Sequence, residues 1–171
     1  MSDFLAIKTL KNKKKRFNIL DFKPTGSDER QYSSPGYDLP IGSLMRTPYD
    51  RYIQYHTSLD NKKFINIEKL LDTVSVYYEI IKLNEKNDFY ISNFPYGEPM
   101  LGKRKLYGNL SAYNALNSEL DTITNNIFWI LSLSDGKKSY LEILEKSKSD
   151  QKTFDKSIKI LVEKKLIKKI N

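Results

Sequence analysis

The fold is decided near the C-terminus, where Ile123 to Ile170 read ITNNIFWILSLSDGKKSYLEILEKSKSDQKTFDKSIKILVEKKLIKKI. Ile123, Ile127, Ile130 and Leu131 recur at helical spacing, and Asp135-Gly136 supplies a stop. Ser139 with Glu142 forms an S-x-x-E capping box for a second helix that carries Leu141 and Leu144. A third helix starts after Asp150 and is expected to bury Phe154, Ile158, Leu161 and Val162. It ends in LIKKI, whose alternation fits a closing strand. Three short helices, a tight turn between the second and third, and a terminal strand describe an α-rich helix-turn-helix of the winged type.

Upstream the pattern changes. From Asn66 to about Lys86, Ile67, Leu70, Leu71, Val74, Tyr77, Tyr78 and Ile81 recur at helical spacing, with Asn66 placed to cap the first turn. The stripe is wide enough to pack on a sheet, and the reading is core rather than ligand site. Residues 3–15 suit a short helix. FNILDF, Phe17 to Phe22, reads as a buried strand and SLMRT, Ser43 to Thr47, as a second. Between them, residues 23–42 hold three of the six prolines and three of the seven glycines, so a long ordered loop, or one with a short helix, is expected. PYDRYIQYHTSLDN is another loop. Asp88 to Asn117, rich in Tyr, Pro, Gly and Asn, reads as a connector. The organisation predicted is an α/β domain over 1–93, a connector over 94–117 and the winged helix over 118–171.

With 171 residues and 39% hydrophobic content, the chain can bury one full core or two small ones. It has no cysteine, which excludes disulfides and thiolate metal sites and allows an intracellular location. No apolar run reaches the roughly 18 residues of a membrane span, so a cytoplasmic protein without a membrane partner is expected. The net charge of +8 sits in Lys11 to Arg16, KNKKKR, and in the tail, where from Asp135 onward 11 Lys stand against 6 acidic residues. Lys rather than Arg dominates, which suits a solvated surface better than the forked recognition of bases and phosphates.

His56 is the only histidine. No G-x-S-x-G elbow accompanies it, and the seven glycines form neither phosphate-binding loop pattern. A catalytic zinc takes about three protein ligands. His56, Asp60 and the pair Asp28-Glu29 are the residues here of the right type, and an ordinary surface histidine is the competing reading.

GSDERQYSSPGYDLPIGSLMRT and YHTSLDN together resemble the end of the peptidase domain in a subgroup of zinc-dependent aminopeptidase-like proteins. FPYGEPMLGKR and a helical tail ending in a winged helix continue the resemblance in order, from about Asn18 onward. The resemblance implies an α/β fold, part of a peptidase-type three-layer domain, ahead of the winged helix. It implies that His56, in the H-T-x-x-D string, is the last metal ligand of that site. GSDERQ resembles a loop near the substrate end, implying that Asp28 and Glu29 support the metal's surroundings and that Arg30 meets a substrate carboxylate. The family's earlier ligands (a histidine, a bridging aspartate, further acids and the glutamate that activates water) have no counterpart here. Zinc is therefore expected only where another chain supplies them.

Three functions follow as expectations. The chain is a C-terminal fragment of such a peptidase, inactive alone and bound to an N-terminal half-protein or to copies of itself. Alternatively the winged helix binds nucleic acid through Lys152, Lys156 and Lys159, or docks a protein. The third is a self-contained metallohydrolase using His56, Asp28, Glu29 and Asp60. Tyr49, Tyr52, Tyr55 and Tyr96 suit either a substrate cleft or packing.

Overall fold

The computed structural model describes residues 2–25, 28–39, 41–49, 51–107 and 119–170. The chain divides into two compact units, Met1–Glu85 and Lys86–Asn171.

In the first unit, α1 (Ser2–Asn12) packs on α3 (Ile67–Glu85), and a short α2 (Asp28–Tyr32) lies in the long loop between them. Asn66 caps α3 as expected, its side-chain oxygen accepting the Lys69 N–H at 2.9 Å. The buried residues are few: Leu5 and Thr9 on α1 and Val76 on α3. Polar clamps hold the pair together. Lys13 donates to Ser75 at 2.8 Å, and Asp72 receives Lys15 at 2.7 Å as well as Arg46. Two ammonium and guanidinium donors, Lys15 first, hold the Asp72 carboxyl down at about 2.

Three expectations fail in this unit. Phe17–Phe22 and Ser43–Thr47 form no strands. A strand needs a neighbour to take its backbone groups, and among the described residues nothing pairs with Phe17–Phe22, where Ile19, Leu20 and Phe22 are exposed. The stripe on α3 is not core. Ile67, Leu70, Leu71, Val74, Tyr77, Tyr78 and Ile81 are all exposed, because α1 packs on the other side of the helix.

The second unit is built as expected at its C-terminal end. Its helices are α4 (Glu119–Leu133), α5 (Tyr140–Ser147) and α6 (Gln151–Glu163), and β3 (Ile167–Ile170) closes it. The Ser139–Glu142 capping box is present in both directions, and Asp150 caps α6 through the Thr153 N–H. The core gathers Ile127, Ile130, Leu141, Ile143, Phe154, Ile158, Leu161, Leu166 and Ile167. Val162, expected inside, is exposed.

Two strands escape the sequence pattern. β1 (Phe89–Ser92) is the centre of a three-stranded antiparallel sheet, ordered β2-β1-β3, and β2 (Asp135–Ser139) starts at the stop after α4. Phe89 lies opposite Ser139 and Ile91 opposite Asp135, so three residues of β1 face five of β2 across a bulge. Gly136 sits there at φ 81°, where a β-carbon would come within 3.0 Å of Ile170. The boundary between units thus falls after Glu85, ahead of the expected residue 93, because β1 finds its hydrogen-bonding partners in the winged helix. Nor are residues 94–107 a free connector. Leu101 and Leu106 are buried, the Leu106 carbonyl accepts the Thr124 hydroxyl at 3.2 Å, and Tyr107 packs on Phe128. The rest of the expected connector, 108–117, lies outside the described residues.

Candidate functional site

The YHTSLD loop is a run of turns pinned by its own side chains. Thr57 does most of this: its hydroxyl donates toward the Gln54 carbonyl at 3.0 Å and accepts the Leu59 N–H at 3.3 Å. Asn61 then accepts the Lys63 N–H at 3.0 Å, and Asp60 N–H donates to the Thr57 carbonyl at 3.1 Å. Short polar side chains that bond their own neighbourhood stabilise such turns. His56 sits within them in the left-handed region, φ 55°, exposed, with its ring stacked on Tyr55 at 4.0 Å.

Aromatic rings extend from it. Tyr55 contacts Tyr49 at 5.7 Å and Tyr52 at 5.6 Å, and Tyr52 stacks on Phe64 at 5.8 Å. Tyr96, which the sequence grouped with these tyrosines, is fully exposed in the other unit. The aromatic group therefore supports the histidine loop from Tyr49 to Phe64 without it.

Asp28 and Glu29 occupy the first turn of α2, and Arg30 is exposed beside them. One carboxylate oxygen of Glu29, Oε2, is buried and without a partner among the described residues. Leaving such an atom unmet is costly. That orphan is the one feature of α2 that suits a group brought from outside. Among the described residues, no three side chains of His, Asp or Glu come together in a way that would hold a metal ion. Among the described residues, His56, Asp28, Glu29 and Asp60 thus do not gather into a three-ligand zinc site.

Lys152, Lys156 and Lys159 do share a face of α6, bordering an open groove with Gln151 and Asp155. Lys156 is paired with Glu119 of α4, and Lys159 lies 3.9 Å from Glu163. Burial first, and then the Asp155 carboxylate that accepts its hydroxyl at 2.5 Å, push the Tyr140 phenol well above its ordinary pKa. The basic face is thus part-neutralised by its own neighbours. The sequence missed two polar anchors. Arg46 bonds the Lys69 carbonyl and the Thr73 hydroxyl of α3, at 3.1 and 2.9 Å. Asn87, buried at the start of the second unit, accepts the Leu141 N–H at 2.9 Å. Neither falls in a periodic pattern, so only three-dimensional proximity reveals them.

Residues 1–87 match a family described as a domain of unknown function, DUF4910, and residues 88–169 match a winged helix-turn-helix family. A Clostridium acetobutylicum protein, provisionally named for polysaccharide biosynthesis and an aminopeptidase-like domain, is 41% identical over 145 residues. That alignment covers 85% of this chain and 32% of the relative. A crystal structure from Clostridium acetobutylicum, provisionally titled a peptidase, aligns with 99% of this chain at TM-score 0.60 and 36% identity, over 36% of its own length. The chain thus spans about a third of the length of the relatives it matches. Among the described residues no helix is long and apolar enough to cross a membrane.

Proposed function

The chain belongs to the DUF4910 family, and we propose that it supplies the C-terminal part of an aminopeptidase-like hydrolase and is inactive by itself. The observation that carries this reading is the YHTSLD loop: a single histidine, exposed, fixed in a left-handed turn by Thr57 and backed by Tyr55. A loop so held presents an imidazole at a constant position, as a ligand contributed to a shared site must be. Relatives whose names refer to an aminopeptidase-like domain and to a peptidase support the hydrolase class. The resemblance to zinc-dependent aminopeptidases supports His56 as the ligand this chain gives.

The remaining ligands and the general base come, in this reading, from polypeptide outside these 171 residues. Zinc is the cofactor only of the completed assembly. Asp28 and Glu29 then stand near its rim, with the orphan Glu29 oxygen meeting a donor from the other part, and Arg30 is the partner of a substrate carboxylate. The winged helix serves as a docking module for protein rather than for nucleic acid. Phosphate contacts by Lys156 and Lys159 would have to displace Glu119 and Glu163.

Metal analysis tests the reading. The chain is co-expressed with the part of the Clostridium relative that it does not match, and bound zinc is measured after purification. One zinc per complex, none on the isolated chain and a loss with His56→Ala is the expected result. Stoichiometric zinc that is indifferent to His56→Ala removes the proposal.

A further inference from the structure

Three lysines stand in a row on α6. Lys152, Lys156 and Lys159 are spaced i, i+4 and i+7, which puts them on one face over roughly 10 Å of helix. They border a groove of about 480 Å³, and among the described residues its lining comes from α6 alone. A small molecule is held by enclosing most of its surface, so an open face of this kind suits another macromolecule.

Carboxylates are what this face already holds. Glu119, at the start of α4, is paired with Lys156, and its carboxyl is held below the usual range by Lys156 first and by the Lys152 charge after it. Lys159 lies 3.9 Å from Glu163. All of these side chains are exposed, so each pair is weak and yields to a competing carboxylate.

The same face is poorly made for nucleic acid. Asp155 interrupts the lysine row, and a phosphate backbone laid along it would pass this charge as well as Glu163. A winged helix that grips DNA does so with a hairpin, the wing, beside its third helix. Here β1 precedes α4 in the chain, and among the described residues no two paired strands are joined by a turn alone. At the end of β3, where a wing would turn, Ile170 lies opposite Phe89, and the neighbouring Asp88 holds Lys169 at 2.7 Å. A carboxylate thus stands where a basic loop would be needed.

We propose that the α6 face docks an acidic helical segment of a separate protein, whose Asp or Glu side chains displace Glu119 from Lys156 and meet Lys152 and Lys159. Acidic side chains one turn apart on a helix match the spacing of the lysines. A partner carboxylate replaces Glu119 like for like, so the displaced pair is made good. The unit has its own core and matches a family of its own, as a module that meets a second polypeptide does. This deepens the functional reading, and rests on it only for the winged helix meeting protein.

A labelled helical peptide with Glu at i, i+4 and i+7 is titrated with the full chain and followed by fluorescence anisotropy, at low and at physiological salt. The same peptide with Gln at those positions and a short duplex DNA are titrated alongside. The Glu peptide should bind more tightly than either, and more weakly as salt rises. Lys152→Gln with Lys159→Gln should weaken it about tenfold, about threefold for each exposed pair lost. Lys137→Gln with Lys146→Gln, the same loss of charge on β2 and α5, should leave it unchanged. Glu119→Gln should tighten it about threefold by freeing Lys156. The side chains changed are all exposed, so each variant keeps the fold. No binding of the Glu peptide, tighter binding of the duplex, equal losses in the two lysine pairs, or an affinity that Glu119→Gln does not raise would overturn the proposal. None of these readouts involves His56. A failed zinc measurement therefore leaves this surface standing, and a preference for the duplex sinks the protein-docking role while leaving the metal reading in place.

Discussion

Two valines on one helix separate a covered face from an open one. Val76 is 4% exposed and Val74 is 56% exposed, two residues apart on α3. Truncation of Val76 to alanine removes two buried carbon groups, about 0.8 kcal/mol each, and leaves a small cavity. The total is about 2 kcal/mol. In Val74→Ala the removed carbons already touch water, and alanine's better helix propensity offsets much of the remaining loss, so the change stays under about 0.5 kcal/mol. Hydrogen exchange along Ile67–Glu85 reads the difference, because α3 opens locally with the free energy of its own packing. Val76→Ala should speed exchange by about 30-fold and Val74→Ala by less than about threefold, at a factor of ten per 1.4 kcal/mol. Equal effects of the two substitutions in the isolated chain would show that the stripe is covered from within and refute the open face.

Other consequences are accessible to simple measurements. Ser139→Ala removes one arm of the capping box at the start of α5 and should cost the winged-helix unit about 1 kcal/mol in urea unfolding followed by Trp129 fluorescence; no change would mean that the Glu142 side chain alone caps the helix. The Asp72 carboxyl is held down at about 2 by Lys15 and Arg46, so its contribution is fully present above its unfolded value near 4 and is lost as pH falls through 2. Carboxyl NMR of Asp72 should show that depressed midpoint, moving back toward about 4 in Lys15→Ala; an unperturbed midpoint in the native chain would refute the clamp. Tyr90 is pushed up to about 12, by burial first and by the Asp88 charge second, and Tyr140 is raised further by burial and Asp155. Both phenols favour their neutral form in the folded state, so the stability they confer is whole below pH 10 and declines as pH rises through 12. Spectrophotometric titration should find these two phenols ionising late, above about pH 10, as the winged helix unfolds.

Local signals carried most of what the sequence revealed. The Asn66 cap, the Ser139–Glu142 box and the start of α6 at Asp150 are short-range hydrogen bonds between residues three apart, so they are legible in one dimension. LIKKI became β3 for the same reason of local pattern. What pattern cannot supply is the partner. FNILDF has the composition of a strand, but pairing is a property of two segments, and among the described residues no segment pairs with it. β1 was missed from the other side: Phe89 at its start lies opposite Ser139 and Ile170, 50 and 81 positions away, and no short window contains that information. The α3 stripe gave the right helix and the wrong neighbour. Periodicity identifies an apolar face and is silent on which body covers it. At the candidate site, residue type marked His56 and its neighbours, while the failure of Asp28, Glu29 and Asp60 to gather around it required coordinates.

Because His56 is the only histidine in the chain, labelling this chain alone with ¹⁵N-histidine leaves one imidazole to observe. In the isolated chain, zinc at stoichiometric concentration should leave its two ring-nitrogen signals in place. In the complex with the unmatched part of the Clostridium relative, one equivalent of zinc should shift one nitrogen strongly and fix a single tautomer, as coordination does. Ring signals that stay unmoved in a complex that has taken up zinc would contradict the role given to His56.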